Sequence, residues 1–109
     1  MTALAFRLDQ LPLVPWKNGG GVTRELVCVP AGASLADFDW RVSIADIAQS
    51  GPFSRFAGID RCIVLLDGAG VMLRGEPGWQ HRLDRVGVPF AFAGDDACDA
   101  TLIGTASRD

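Results

Sequence analysis

The stretch from residue 15 to residue 26, PWKNGGGVTREL, constrains the fold of this chain more than any other. Its three consecutive glycines allow the backbone to take positive φ angles and to pass close to a ligand or to another strand. The Asn18-Gly19 pair is the strongest short-range signal for a tight turn between strands. The β-branched residues that follow, over positions 22–29, are typical of a strand. The stretch therefore predicts a β-hairpin.

The side chains around this turn suggest a second role. Trp16, Lys17, Asn18 and Arg24 supply an indole, an ammonium, an amide and a guanidinium, which together are typical of a binding site. The alternative is a hairpin with an incidental tryptophan and solvated charges, because turn motifs of this kind are common. The stretch alone leaves both interpretations open.

A second strand is predicted over residues 38–45, where large apolar and polar residues alternate with a period of two. This pattern gives the strand two different faces. One face carries Phe38, Trp40, Val42 and Ile44, and the other carries Asp39, Arg41 and Ser43.

The remaining segments complete an all-β pattern. Residues 6–14 suit an edge strand, and the apolar run 61–66 is typical of a central buried strand that turns at Asp67-Gly68 and returns over 70–74. Further short strands are predicted at 79–83, 89–92 and 101–103. Short strands with turn signals about every ten residues indicate a sandwich or barrel. With 109 residues, the chain predicts one domain over 1–109.

Charge and hydropathy exclude several classes of protein. A content of 49% hydrophobic and 21% charged residues is typical of soluble globular proteins. The formal charge of −3 gives no case for a nucleic-acid partner, which requires clustered lysine and arginine. The sequence has no apolar run long enough to cross a membrane and no secretory signal at its start. We therefore expect neither nucleic acid nor membrane as a partner.

The three cysteines point to a reducing compartment. Cys28, Cys62 and Cys98 are odd in number and widely spaced, which fits neither a disulfide framework nor a zinc ribbon. Each lies in an apolar stretch, so buried free thiols and a cytoplasmic location are expected.

The sequence offers little for metal or covalent chemistry. His81 is the single histidine and lies near a predicted turn, so we expect it at the surface. Asp95, Asp96 and Asp99 could bind a hard cation, but a solvated acidic loop is the simpler interpretation. The sequence has no nucleophile elbow, and Glu25 and Asp60 are the visible candidates for acid–base work. We predict no metal, no cofactor and no catalytic residue.

Arg61 is the most informative of the polar residues at strand ends. It directly precedes the most apolar strand, so its charged group should lie near the barrel wall and needs a partner there. A guanidinium fork matches a carboxylate, which Asp60, Glu25 or a small anionic ligand in a pocket could supply. The candidate set of strand-end polar residues is Lys17, Asn18, Arg24, Arg41, Asp60 and Arg61.

Several motifs together resemble the HutD/Ves family across nearly the whole chain. They are PWKNGGGVTREL at 15–26, WRVSIA at 40–45, GPFS at 51–54 with Phe56, GIDR at 58–61 and LLDG at 65–68. The resemblance implies a cupin (RmlC-like) β-barrel or jelly roll without the usual metal ligands, in a cytoplasmic bacterial protein associated with histidine utilisation.

The resemblance also implies a function. Family members are similar to small-molecule-sensing regulators that have no established catalytic activity, and their pocket is thought to hold a small carboxylate. The matching positions imply pocket roles for Trp16, Lys17, Asn18, Arg24, Arg41 and Arg61, with Arg61 as the carboxylate partner. A metal-independent isomerase or hydrolase of the same acids is the alternative. Family members are longer and contain a second cupin-like half, so the chain would correspond to the N-terminal half, and a homodimer is a possible consequence.

Overall fold

The all-β prediction is confirmed by a computed structural model, which describes residues 7–30, 32–34, 37–76 and 78–109. The strands are β1 (Val14–Pro15), β2 (Gly21–Val29), β3 (Trp40–Ile47), β4 (Gly51–Phe53), β5 (Asp60–Val64), β6 (Asp67–Gly68), β7 (Val71–Gly75), β8 (Trp79–Leu83), β9 (Pro89–Ala93), β10 (Cys98–Leu102) and β11 (Ser107–Arg108). Helical structure within the described residues is a single 3₁₀ turn at Leu8–Gln10. No helix in these ranges is long and apolar enough to span a membrane.

The strands form three hydrogen-bonded sheets. The first has the order β1-β2-β3-β11-β6, the second β4-β10-β7-β8, and the third pairs β5 with β9. The buried core lies between them, because its members come from β3, β7, β8 and β10 and from the residue after β5. These members are Ile47, Leu65, Val71, Leu73, Leu83, Cys98 and Ala100. The arrangement is consistent with a cupin-like barrel.

The predicted hairpin turn lies between β1 and β2. The amide of Gly19 donates to the carbonyl oxygen of Trp16 over 3.0 Å, and Gly19 has a φ of 74°, which glycine adopts without a steric penalty. The side-chain oxygen of Asn18 accepts from the amide of Gly20 at 2.8 Å, which closes the turn from within. The run of glycines thus serves the turn itself and the approach of a neighbouring strand.

That neighbour is β3, which pairs with β2 along its whole length with Gly21 opposite Ile47. A Cβ atom at position 21 would lie 2.5 Å from the backbone oxygen of Asp46 and 3.3 Å from the ring of Trp16. A side chain at position 21 would therefore force the backbone of β3 to shift.

The predicted alternation of β3 is correct, but its apolar face is not the core face. Ile47 is buried and Ala45 packs on the core, so the side of β3 that faces inward also carries Arg41. Trp40 and Val42 project from the other side and are 51% and 47% exposed. This outward apolar surface does not test the homodimer expected from the sequence, which stays a prediction.

A bulge in β2 determines which of its side chains lie on the inward side together with Arg41. The register with β3 shifts between Glu25 and Val27, so that Glu25 lies opposite Ser43 and Cys28 lies opposite Arg41. A bulge inserts one unpaired residue and thereby changes which side chains share a face. Because of the shift, Glu25 and Cys28 both lie on the inward side.

Several strand predictions need correction. Residues 8–10 form the 3₁₀ turn, so the edge strand expected over 6–14 is reduced to β1, and residue 6 lies outside the described ranges. The 61–66 run is not buried throughout, because Cys62 is exposed and Leu66 is 45% exposed. The expected hairpin with 70–74 does not form: β5 pairs with β9, whereas β7 pairs with β8 and β10. Asp67-Gly68 forms β6, paired with β11.

The cysteine prediction is correct in one respect and wrong in another. All three thiols are free, but Cys98 alone is buried, Cys28 is half-buried and Cys62 is exposed. The exposure of Cys62 follows from its outward position on β5, next to the inward-facing Arg61.

An ion-pair cluster joins three strands on the outer side of the first sheet. Asp46 on β3 accepts from the Nη1 of Arg24 on β2 at 2.8 Å and from the Nε of Arg108 on β11 at 2.6 Å. The Nε of Arg24 is buried and has no hydrogen-bond partner among the described residues. The hydrogen bond from Arg108, followed by that from Arg24, lowers the pKa of Asp46 against the opposing effect of burial.

Replacing Gly21 by alanine should destabilise the protein by about 1–3 kcal/mol, because the new methyl group meets backbone rather than a movable side chain. Urea unfolding followed by circular dichroism would measure this. The matched control is Gly51→Ala, where the nearest atom to a new Cβ is the Nδ2 of Asn18 at 3.8 Å. Equal stability of the two variants would contradict the steric argument.

Asp46→Asn should lower the free energy of unfolding by about 1 kcal/mol at neutral pH. This is the upper end of the range for partly exposed ion pairs. Since folding lowers the pKa of Asp46, its contribution is complete above the unfolded value and disappears as the pH falls through the folded value. The difference from the parent protein should therefore shrink below about pH 4. Urea titrations from pH 3 to pH 7 would test this. Asp84→Asn, which removes an exposed ion pair with Arg82, should change stability by less than about 0.5 kcal/mol.

Candidate functional site

Arg61 lies on the inward side of β5, within a cage of aromatic rings. Its guanidinium carbon is 4.9 Å from the ring centre of Phe92, 5.0 Å from that of Phe56 and 5.9 Å from that of Phe53. Phe92 is its direct cross-strand partner on β9. Each ring face is negatively polarised and attracts the cation. The cage therefore stabilises a half-buried positive charge without neutralising it.

No carboxylate within the described ranges forms an ion pair with Arg61. Its Nη1 donates to the backbone oxygen of Ser54 at 2.8 Å. Burial lowers the pKa of Arg61, the Cys98 thiol opposes that shift, and the positive charge of Arg41 adds to it. An arginine remains cationic in proteins even so. Of the partners expected for Arg61 from the sequence, neither Asp60 nor Glu25 forms an ion pair with it.

Arg41 and Glu25 form an ion pair on the same inward side of the first sheet. The Nε of Arg41 lies 3.1 Å from the Oε1 of Glu25, and the two side chains are 18% and 46% exposed. They occupy neighbouring strands at diagonal positions, because Glu25 is opposite Ser43 and Arg41 is two residues away on β3. We call Arg61, Arg41 and Glu25 the cluster, because all three lie on the inward sides of their strands. The charge of Arg41 contributes to the lowering of the pKa of Arg61.

Trp16 is connected to this cluster through one of the cage rings. Its indole Nε1 donates to the hydroxyl of Thr23 at 2.6 Å. Its ring meets Phe53 edge to face, with the ring centres 6.2 Å apart. Phe53 in turn forms part of the cage around Arg61. Trp16 therefore contacts the cage through Phe53.

Asn18 and Lys17 occupy the turn itself. The side-chain oxygen of Asn18 is engaged with the amide of Gly20, which is a structural role. Lys17 is exposed and makes no ion pair with the residues described. The structure therefore does not bring Lys17 into contact with Arg61.

Arg24 and Asp60 project away from the cluster. Arg24 lies opposite Ile44 and bonds Asp46 on the outer side of the first sheet. Asp60 is exposed and, as the neighbour of Arg61 on a strand, points to the other face of β5. Of the seven sequence-derived candidates, Arg61 and Arg41 thus lie on the inward sides of their strands, and Trp16 packs against the core.

The aromatic cage is what the sequence-based interpretation missed. Phe53 and Phe56 belong to motifs already recognised, and Phe92 lies in a predicted strand, but none was assigned to the site. A usable signal exists, because buried arginines without acidic partners favour aromatic faces. The β5–β9 pairing needed to place Phe92 opposite Arg61 cannot be read from local spacing.

The prediction of a surface position for His81 is wrong. It lies on β8 opposite the buried Leu73, is half-buried, and stacks on Phe90 with ring centres 4.0 Å apart. Among the residues with described positions, no group of three or more His, Cys, Asp and Glu side chains could hold a metal ion.

A surface cavity of about 570 Å³ shares none of the cluster residues. It is lined by Arg55, Glu76, Asp95, Asp96 and Ala97. Arg55 already donates twice to the backbone oxygen of Asp95, and Asp96 accepts from the indole of Trp79. Three carboxylates around one engaged arginine disfavour an anion, so this cavity does not suit a carboxylate ligand.

Comparisons with known proteins agree on one family. The HutD family model matches residues 9–109. Protein Ves of Citrobacter koseri is 47% identical over 97 residues, which cover 89% of this chain and 49% of that protein. An uncharacterised 21.2 kDa protein from the region 3′ of hutC in Pseudomonas putida is 44% identical, with 94% of this chain and 53% of that protein covered.

Two solved structures share the fold. HutD from Pseudomonas fluorescens SBW25, in a formate condition, matches with a TM-score of 0.83 and 44% identity over 94% of this chain and 54% of its own. A conserved protein of unknown function from Pseudomonas aeruginosa PAO1 matches with a TM-score of 0.85 and 43% identity over 94% of this chain and 52% of its own. This chain spans about half the length of these relatives. The chain belongs to the HutD family.

Proposed function

We propose that this chain binds a small carboxylate at Arg61 and acts as a regulator in histidine catabolism. The observation that carries the proposal is a half-buried guanidinium that has no acidic partner among the described residues. Buried charges are normally paired, so an unpaired one at the barrel interior favours an external anion.

The chemistry of Arg61 suits a carboxylate. One of its five N–H donors is used by the carbonyl of Ser54, and the planar fork can match two carboxylate oxygens. The rings of Phe53, Phe56 and Phe92 cover part of its guanidinium, and the lower local dielectric strengthens a charge-assisted bond. The cage therefore favours a small ligand whose carboxylate approaches the free nitrogen atoms.

The balance of charge supports the same conclusion. Arg41 and Arg61 contribute two positive charges, and Glu25 contributes one negative charge already engaged by Arg41. The cluster thus carries a net charge of about +1, which attracts an anion into a protein whose overall charge is −3.

The regulatory part of the proposal rests on relatives. HutD of P. fluorescens was solved in a formate condition, and the P. putida relative is encoded in the region 3′ of hutC. Small acids of histidine breakdown, such as urocanate, formylglutamate and formate, are therefore the first ligands to test.

Arg61→Gln should abolish the rise in melting temperature that a cognate acid produces, and should weaken binding by about 30-fold. The reason is the loss of a charge-assisted bond worth about 2 kcal/mol. Thermal shift and isothermal calorimetry would measure both. Arg61→Lys, which keeps the charge but loses the fork, should give an intermediate loss.

The matched control for Arg61 is Arg74→Gln. Arg74 is an exposed arginine on β7, so its replacement should leave both readouts unchanged. If Arg61→Gln folds and binds the acid as the parent protein does, the role of Arg61 is structural and the proposal fails.

A metal-independent enzyme acting on the same acids is the second candidate. It needs an acid–base pair beside the ligand, and Glu25 is the inward-facing carboxylate that favours it. Asp60 faces the other way, so it offers no group to a ligand held by Arg61.

Asp60→Asn should therefore leave the ligand-induced thermal shift within experimental error of the parent protein. Incubation of the parent protein with each acid, followed by ¹H NMR, should show no turnover. Turnover that is lost in Asp60→Asn would favour the enzyme and contradict the orientation of this strand.

A further inference from the structure

The strand β8 ends the four-stranded sheet, and one of its two edges has no neighbouring strand. The sheet has the order β4-β10-β7-β8, so β8 pairs with β7 alone. Within the described part of the chain, residues 79–83 make no further backbone hydrogen bond. An edge strand directs the N–H and C=O groups of alternate residues away from its one neighbour. The free edge of β8 therefore presents unused backbone donors and acceptors.

Most sheet edges in this fold are protected against the addition of another strand. The strands β1 and β6 have two residues each, and β4 has three. Pro15 in β1, Pro52 in β4 and Pro89 at the start of β9 each remove a backbone donor. Short length and proline both prevent an edge from pairing. These protections are absent from β5 and β8, which have five residues each and no proline.

The end of β8 also carries a cavity and exposed apolar side chains. Val86 and Val88, in the connection that follows β8, are 64% and 48% exposed. The cavity has a volume of about 180 Å³ and is lined by His81, Arg82, Leu83, Asp84, Arg85 and Val88. A free backbone edge, a cavity and exposed apolar side chains therefore coincide at β8, as they do on surfaces that add a strand.

The exposed face of β8 is complementary to a second copy of the same strand. Gln80 and Arg82 are its exposed residues. In two antiparallel copies related by a two-fold axis at His81, Gln80 of each copy lies opposite Arg82 of the other. Arg82 donates to Asp84 through its Nε at 2.7 Å, which leaves its terminal nitrogen atoms for the amide oxygen of Gln80. An axis at Arg82 would instead place two like charges opposite each other, so the exposed face favours the first register.

The inward face of β8 is compatible with the same register. Trp79, His81 and Leu83 alternate along this face, where Leu83 is buried and His81 stacks on Phe90. An axis at His81 places Trp79 of each copy opposite Leu83 of the other. It also places the two imidazoles opposite each other, and a neutral imidazole has one donor and one acceptor to share. The pairing therefore buries no unpaired charge on this side.

We propose that this chain self-associates through β8, with two copies antiparallel about an axis at His81, so that their four-stranded sheets join into one continuous sheet. The pairing uses neither Arg61 nor its aromatic cage, so it stands apart from ligand binding. A contact centred on one strand of five residues is smaller than the roughly 800 Å² per partner of stable complexes. The dimer should therefore be weak, with a Kd of about 10–100 µM.

Sedimentation velocity of the parent protein over a range of concentrations that spans this Kd tests the association, and variants of Gln80 test the register. Gln80→Lys sets two like-charge pairs against Arg82 and should weaken the dimer at least about tenfold. Gln80→Glu sets two ion pairs there and should strengthen it about threefold. General repulsion between chains of charge −3 predicts the opposite order, because the lysine variant carries the smaller net charge.

Two further variants complete the experiment. Thr101→Lys is the matched control, because Thr101 is exposed on β10, in from the β8 edge, and its replacement should leave the Kd within about twofold. Gln80→Lys combined with Arg82→Glu sets opposite charges against each other again and should restore the dimer to within about threefold of the parent. Circular dichroism at low concentration checks that each variant folds, and Gln80→Glu keeps the test decisive if the lysine variant does not.

A parent protein that stays monomeric throughout this range overturns the inference. A dimer that Gln80→Lys leaves intact, or that Thr101→Lys weakens equally, places the contact on another surface, such as the outward face with Trp40 and Val42, and also overturns it. Failure of the combined variant to restore the dimer contradicts the register. None of these results affects carboxylate binding at Arg61, which is measured separately by calorimetry.

Discussion

The pairing of β2 with β3 is the constraint on which the rest of the structure depends. Gly21 lets the two backbones approach, and the bulge after Glu25 sets which side chains face inward. The result is an inverted arrangement at one end of the pair, with Trp40 and Val42 outward and Arg41 and Glu25 inward. A barrel interior that contains these charges must supply partners for them. The Arg41–Glu25 ion pair of the site is therefore a consequence of how this strand pair is built.

The interior meets that requirement in two different ways. Arg41 is neutralised by Glu25, so its contribution resembles an ordinary partly buried ion pair. Arg61 is surrounded by Phe53, Phe56 and Phe92 and makes one hydrogen bond to a backbone oxygen, so its charge is stabilised but retained. A chain optimised for stability alone would replace such a residue by an apolar one at little cost. Departures of this kind from the rules of core packing are expected at functional sites.

The sequence predicted the fold class well because strand periodicity and turn chemistry are local signals. The turn at Asn18-Gly19, the extent of β8 and the alternation along β3 all depend on neighbouring residues. The inward face of β3 was not predictable in this way, because Trp40 and Val42 form the more hydrophobic face and yet point outward. The pairing of β5 with β9 is likewise non-local, so the cage around Arg61 could not be assembled from spacing. The opposite orientations of Asp60 and Arg61 were predictable from the sequence, since adjacent residues of a strand face opposite sides of the sheet.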